Sequence, residues 1–195
     1  MIKNLMFDLG GVIMDIKREN AVEALKAIGL ENADSMLGEY GQKGAFLALE
    51  KGEITPREFR AAIRKEIKGD VTDKQIDDAF CKFLIGIPTE RLRRLEELHN
   101  DYNLYLLSNT NAIMWYGFIL DEFKKDGKNI IHYFDDVIPS FDVKAYKPDA
   151  EIFRKATEKF GIKPEETIFF DDSAANIEAA KALGFEGKVV TAGGF

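Results

Sequence analysis

Leu5-Met6-Phe7-Asp8-Leu9-Gly10-Gly11 near the N-terminus and Thr167-Ile168-Phe169-Phe170-Asp171-Asp172-Ser173 near the C-terminus share one pattern. Each is a short apolar run that ends in carboxylate and then in turn-forming residues. Such a run reads as a buried parallel strand that delivers its acids to the carboxyl edge of a sheet. Open α/β sheets bind their ligands at that edge. Three carboxylates gathered there repel one another unless a cation sits among them. The two stretches together predict a hard metal ion and an anionic substrate.

The chain between them changes rhythm once. From about Arg18 to Leu98 the apolar spacing is helical, with no convincing strand. Glu19 to Ile28 stops at Gly29, and Lys43 to Lys51 stops at Gly52. Thr55-Pro56-Arg57-Glu58 and Thr72-Asp73-Lys74-Gln75 are capping boxes, opening helices to about Ile67 and Leu84. Leu92, Leu95 and Leu98 line a further helix. Strands and helices then alternate. Leu104 to Leu107, Asp136 to Ile138, Thr167 to Phe170 and Lys188 to Val190 read as strands. Helices are expected around Ala112 to Phe123, from Pro148 to Phe160 and from Ala174 to Leu183. Alternation of this kind predicts an α/β fold, a Rossmann-like parallel sheet with helices on both faces, interrupted by an inserted α-helical block.

Composition narrows the function. The 195 residues suit one domain with an elaboration, or a core with a small second domain. A formal net charge of −7 argues against nucleic acid or an acidic membrane as partner. It also demands a local positive centre wherever an anion binds. A single cysteine, Cys81, and the lack of any apolar run long enough for a bilayer predict a cytoplasmic protein without signal peptide or membrane span. A monomer or weak homodimer is expected.

Asp8 suits a nucleophile or a metal ligand, and also a simple turn aspartate. Gly10 and Gly11 permit close approach of a ligand to the backbone. Ser108 and Asn109, with the N–H groups that follow, suit a phosphoryl oxygen. Lys147 stands before Pro148, where its charge favours an anion, and Lys144 is an alternative cation. Asp171 and Asp172 are too costly beside Ile168-Phe169-Phe170 to be mere decoration, and oxygen-only ligands suit magnesium. Ser173 offers a helix N-cap, with Asn176 in the first turn.

These four segments, in this order, resemble the haloacid dehalogenase superfamily along the whole chain. Phe7-Asp8-Leu9-Gly10-Gly11-Val12-Ile13, Leu107-Ser108-Asn109-Thr110-Asn111 and Phe169-Phe170-Asp171-Asp172 look most like the branch of bacterial α-glucose-1-phosphate phosphatases and the N-terminal phosphatase domain of soluble epoxide hydrolase. The resemblance implies a discontinuous core of residues 1–15 and 93–195 and a helical cap of residues 16–92. It implies a magnesium-dependent phosphatase of a small phosphorylated metabolite, with a sugar phosphate favoured. On the same resemblance Asp8 would become an aspartyl phosphate, with magnesium held by Asp8, the Gly10 carbonyl and Asp172, and Asp171 direct or through water. Ser108 and the Asn109 backbone hold phosphoryl oxygens, and Lys147 neutralises charge.

One departure stands out. Typical family phosphatases carry a second aspartate two residues after the nucleophile as general acid and base, and here that position is Gly10. Asp15 and water are candidate replacements. A 2-haloacid dehalogenase-type hydrolase, which needs no metal, and a catalytically weak binding module are the rival readings. Arg18, Lys43, Phe46 and Glu50 are the cap residues considered for substrate contact, against the alternative of cap core and solvated charge. Trp115 and Tyr116 are placed at the entrance or in the core, and His99 and His132, without metal-ligand spacing, at the surface or a hinge.

Overall fold

The computed structural model describes residues 1–38 and 41–195. Its centre is a five-stranded parallel sheet in the order β5-β4-β1-β6-β7. The strands are β1 (Asn4–Phe7), β4 (Asn103–Ser108), β5 (Asp136–Pro139), β6 (Thr167–Asp171) and β7 (Glu186–Val189). The first strand lies in the middle, paired in register so that Phe7 stands opposite both Leu106 and Phe170. The residues one step further along all three strands therefore emerge at one edge.

Side-chain alternation explains why both sheet faces are covered. Leu5, Phe7, Leu104, Leu106 and Phe170 enter one apolar cluster. Met6, Tyr105, Leu107 and Phe169 enter the other, against Ile152, Phe153 and Ala156 of one helix and Ile177 and Ala180 of another. Strands buried on both faces read as unbroken apolar runs, which is how they appear in the sequence.

Between β1 and β4 come the helices α1 (Arg18–Ala27), α2 (Ala33–Met36), α3 (Gly44–Glu50), α4 (Pro56–Glu66), α5 (Asp73–Cys81) and α6 (Thr89–His99). Both expected capping boxes are present, on Thr55 with Glu58 and on Thr72 with Gln75. The helices converge on three fully buried rings. Phe46 lies edge-on to Phe59 and Phe80 at 5.0 and 4.9 Å between centroids, and Phe59 stacks on Phe80.

The expectation of no strand in this region needs correction. Asp15–Ile16 (β2) pairs antiparallel with Leu84–Gly86 (β3), where the chain leaves and re-enters the sheet region. Strands of two and three residues are too short to display a two-residue period, so the ribbon is invisible locally. It also ends α5 at Cys81 rather than Leu84.

The remaining helices follow the alternating half. They are α7 (Ala112–Met114), α8 (Leu120–Glu122), α9 (Ile130–Tyr133), α10 (Ser140–Val143), α11 (Ala150–Phe160) and α12 (Ala174–Lys181). A π-helical turn, Trp115–Ile119, joins α7 to α8. Pro148 does not open α11 as expected. It lies in a turn, and the helix begins at Ala150 with Asp149 at its N-cap position. The last strand falls two residues earlier than expected at its start, at Glu186. No helix of the described residues is long and apolar enough to cross a membrane.

The helical block is anchored to the sheet region through the end of α3. Ser140 Oγ lies 2.6 Å from the Glu50 carbonyl oxygen and 2.9 Å from that of Thr110, and can donate to either. Gly52, at φ +62°, approaches so closely that a Cβ there would lie 2.1 Å from the Phe141 carbonyl oxygen. Only glycine permits that contact.

Apolar packing rather than helix propensity should dominate the stability of this block. Phe46→Ala is expected to cost about 3–5 kcal/mol in denaturant unfolding. Thr55→Ala, which removes one cap, should cost only about 1 kcal/mol. Equal losses would show that the three rings do not form the block's core.

Candidate active site

The sheet register brings the separated acids together. Asp8 follows β1, and its backbone N–H donates to the Phe170 carbonyl at 2.8 Å. Asp171 ends β6, with Asp172 next in the chain. Carboxylate oxygens of Asp8, Asp171 and Asp172 all lie within 4.8 Å of one another. Ser108 ends β4 on the opposite side of β1.

The loop after Asp8 turns tightly on the Leu9 carbonyl, which accepts from the N–H groups of Ile13 and Met14 at 2.9 and 2.8 Å. Gly11 sits in this turn at φ +72°, and a Cβ on it would stand 2.2 Å from Asp172 Oδ2. The missing side chain is what lets the Asp172 carboxylate lie against the loop. Gly10 meets no such crowding, since its nearest neighbour would be Ile16 at 3.5 Å.

Lys147 is the positive centre. A lysine next to proline is ordinarily solvated, yet this one is only 1% exposed. Its Nζ lies 2.9 Å from Asp8 Oδ1 and 2.7 Å from Asp171 Oδ2. Burial opposes its charge, but Asp171 and Asp8 outweigh that and hold the ammonium's pKa above its ordinary value. Asp8 is caught the other way. Burial raises its carboxyl pKa, Lys147 pulls it down, and Asp171 and Asp172 push it up again.

Asp171 is the most fully engaged of the acids. Its Oδ1 accepts from the Ser173 N–H at 2.8 Å and Asn176 Nδ2 at 3.0 Å, and its Oδ2 from Lys147 and Asn176. Ser173 occupies the N-cap position of α12, but its side chain makes no cap bond. Asn109 is spent similarly. Its Nδ2 donates to the Lys147 carbonyl, and its Oδ1 accepts from the Lys147 N–H, both at 2.9 Å. That reciprocal pair clamps the lysine's backbone to the end of β4.

Asp8, Asn109 and Lys147 line one cleft of about 90 Å³, whose walls also include Ser108, Asp172, Phe80, Phe83 and Leu84. The site satisfies the requirements of a hard divalent cation: oxygen donors, several carboxylates, and one ammonium against three acids.

Of the other residues considered, Glu50 reaches the cleft. Its side chain is buried, and Tyr146 Oη donates to its Oε2 at 3.0 Å. Burial pushes its carboxyl up to about 7, helped by Asp8, against hydrogen bonding from Tyr146 and Asn111. Arg18 instead ties α1 to the Leu37 and Asp34 carbonyls. Lys43 and Lys144 are exposed, and Phe46 is core. Asp15 is paired with Arg91 at 2.8 Å, so it is occupied outside the cleft. Trp115 is buried, Tyr116 exposed, His99 pairs with Asp135, and His132 with Glu96. Tyr146 escaped the reading of the sequence, although its place beside Lys147 was the available signal.

The chain matches the haloacid dehalogenase-like hydrolase family over residues 2–184. It is 37% identical over 186 residues to a D-ribitol-5-phosphate phosphatase of Bacteroides thetaiotaomicron, covering 95% of this chain and 90% of the relative. A fructose-1-phosphate phosphatase of Escherichia coli matches at 34% over 55 residues, 28% of this chain and 29% of the relative. Among solved structures, a haloacid dehalogenase family enzyme of Bacteroides thetaiotaomicron in complex with magnesium and inorganic phosphate superposes with a TM-score of 0.92. That match has 42% identity and covers 99% of this chain and 96% of the other. An L-2-haloacid dehalogenase of Xanthobacter autotrophicus shares the fold at a TM-score of 0.64 and 20% identity, over 96% of this chain and 76% of the other. A buried lysine bridging acids at the ends of separate strands, on a sheet of this order and with matches along nearly the whole chain, makes the protein a member of the haloacid dehalogenase-like hydrolase family.

Proposed function

We propose that the protein is a magnesium-dependent phosphatase of a small phosphorylated metabolite, with sugar and polyol phosphates favoured, working through a covalent phosphate on Asp8. The observation that carries the reading is Lys147, buried between Asp8 and Asp171 with Asp172 alongside. The similarity to phosphatases of phosphorylated sugars and polyols supports the substrate class. A dehalogenase reading leaves Asp172 and the close approach of Gly11 without a use.

Asp8, the Gly10 carbonyl and Asp172 would hold the ion, with Asp171 direct or through water; its four hydrogen bonds favour the indirect role. When bound, magnesium supplies positive charge that offsets repulsion between the carboxylate and the phosphate. An Asp8 carboxylate oxygen attacks phosphorus as the bond to the leaving oxygen breaks. Water then attacks phosphorus and releases phosphate and the Asp8 carboxylate. Lys147 neutralises charge collecting on the phosphoryl group, while the Ser108 hydroxyl and the Asn109 backbone hold its oxygens. Residues 1–15 and 93–195 act as the catalytic core. Residues 16–92 act as a cap whose Phe80, Phe83 and Leu84 shield the reaction from water.

Asp8→Asn should lower turnover of p-nitrophenyl phosphate and of sugar phosphates at least about a thousandfold with the fold intact by circular dichroism. Substantial remaining turnover would exclude the covalent mechanism. EDTA should abolish phosphate release, and added magnesium should restore it. Gly11→Ala drives a methyl group into the Asp172 carboxylate. It should raise the magnesium concentration for half-maximal rate at least about tenfold. An unchanged requirement would remove Asp172 from the ion site.

A further inference from the structure

The leaving oxygen of an alkyl phosphate needs a proton, and Gly10 cannot give one. The described residues lining the cleft offer few alternatives. Asp8 and Asp172 are assigned to phosphorus and the ion. Lys147 keeps its proton, held by two carboxylates. Burial and the adjoining carboxylate push the Tyr146 hydroxyl far above its ordinary pKa. His99, His132 and Asp15 lie outside the cleft, engaged by Asp135, Glu96 and Arg91 respectively. Glu50 remains.

We propose that Glu50 is the general acid and base of this site, brought in by the helical block to do what Gly10 cannot. The inference rests on the aspartyl-phosphate reading above. Glu50 is the last residue of α3, and its backbone carbonyl is within hydrogen-bond reach of Ser140. Its Oε2 is held by Tyr146, whose chain neighbour Lys147 holds Asp8. One two-residue segment therefore positions both the nucleophile and the proton donor. The second carboxyl oxygen, Oε1, is the one left to carry the proton. Asn111 Nδ2 makes no hydrogen bond of good geometry, yet it lies close enough to favour the charged carboxylate that follows proton donation.

In the first step Asp8 forms its bond to phosphorus, the bond to the leaving oxygen breaks, and the Glu50 proton passes to that oxygen. The alcohol leaves, and Glu50 becomes a carboxylate. In the second, this carboxylate takes a proton from the water whose oxygen attacks phosphorus, and the Asp8–phosphorus bond breaks. Glu50 is again protonated, Asp8 again a carboxylate, and the products are alcohol and hydrogen phosphate. Burial keeps the carboxyl near 7, so both protonation states are accessible at neutral pH. The facing groups that set this balance are Tyr146, Asn111 and Asp8.

The test is Glu50→Gln, assayed with a polyol phosphate and with p-nitrophenyl phosphate, whose phenolate departs without a proton. With the polyol phosphate, kcat should fall by about 10²–10⁴-fold. With p-nitrophenyl phosphate, a burst of about one p-nitrophenol per site should precede slow turnover, because water still lacks its base. The decline of wild-type kcat/KM for the polyol phosphate above about pH 7 should vanish in the variant. A change in KM alone, with kcat and pH profile kept, would overturn the proposal and make Glu50 a hydroxyl-binding residue. Equal loss of the burst and of turnover on both substrates would overturn it in favour of a structural role. Tyr146→Phe tests the same point if Glu50→Gln fails to fold. It removes a bond that favours ionised Glu50, so the alkaline decline should move to higher pH, and an unmoved decline would overturn the proposal. Asp8→Asn separates the two readings. An active Asp8→Asn variant removes the mechanism beneath both, whereas an inactive one beside a fully active Glu50→Gln removes Glu50 alone.

Discussion

A charged lysine buried between two carboxylates is the constraint on which the rest of this structure depends. Taking the Lys147 ammonium out of water costs several kcal/mol. Each carboxylate contact near 3 Å returns on the order of 5 kcal/mol at an effective dielectric of about 20. One partner would leave the ion near break-even, while two keep it charged. The two partners come from strands on either side of a pairing, β1 and β6, so the ion pair forms only when the sheet is in register. The reciprocal Asn109–Lys147 bonds then tie β4 to the same point. Three strand ends are thus locked by one side chain and its own backbone.

The acids exceed the lysine's capacity. Asp8, Asp171 and Asp172 face a single ammonium, and burial, reinforced by Asp171 and Asp172 against the pull of Lys147, raises the Asp8 carboxyl pKa. A cation among these three acids would offset the charge that the lysine leaves uncompensated, and the related enzyme of Bacteroides thetaiotaomicron was solved with magnesium and inorganic phosphate. Glu50, itself buried, adds a fourth carboxyl to the cleft. Its raised pKa means that its own contribution to stability is greatest at low pH. It is lost as pH rises from the unfolded carboxyl's range, near 4.5, through about 7, where an ionised group is trapped in the interior. Sites built for chemistry commonly carry such a cost.

The helical block is joined to the sheet region by more than its two chain crossings. The β2–β3 ribbon brackets the crossings, and the end of α3 seats against Ser140 and Phe141. Because Gly52 lets backbone meet backbone, main-chain contacts seat the end of α3, and Tyr146 holds the Glu50 side chain there. In the proposed mechanism, proton transfer by Glu50 depends on how this block seats.

Much of the architecture was legible because the signals were local. Unbroken apolar runs ending in Asp8 and in Asp171-Asp172 betray strands buried on both faces, and the capping boxes at Thr55 and Thr72 mark helix starts within four residues. The order of acidic, hydroxyl and lysine segments was enough to indicate the family. Other features were not local, and no window of sequence could show them. Lys-Pro looks solvated until two carboxylates from distant strands enclose it, and the β2–β3 pair is too short to have a pattern of its own. Phe46 and Glu50 share one helix face, yet one meets Phe59 and Phe80 while the other meets Tyr146. By itself the sequence determined which segments become strands and helices and which residue types can bear the chemistry, because those follow from periodicity and side-chain chemistry. Only the tertiary structure decided which carboxylates share one cation, which lysine is buried, and which glutamate joins the cleft. Those depend on distances between residues as many as 163 positions apart, as in the Lys3–Glu166 pair that closes the far end of the same strands.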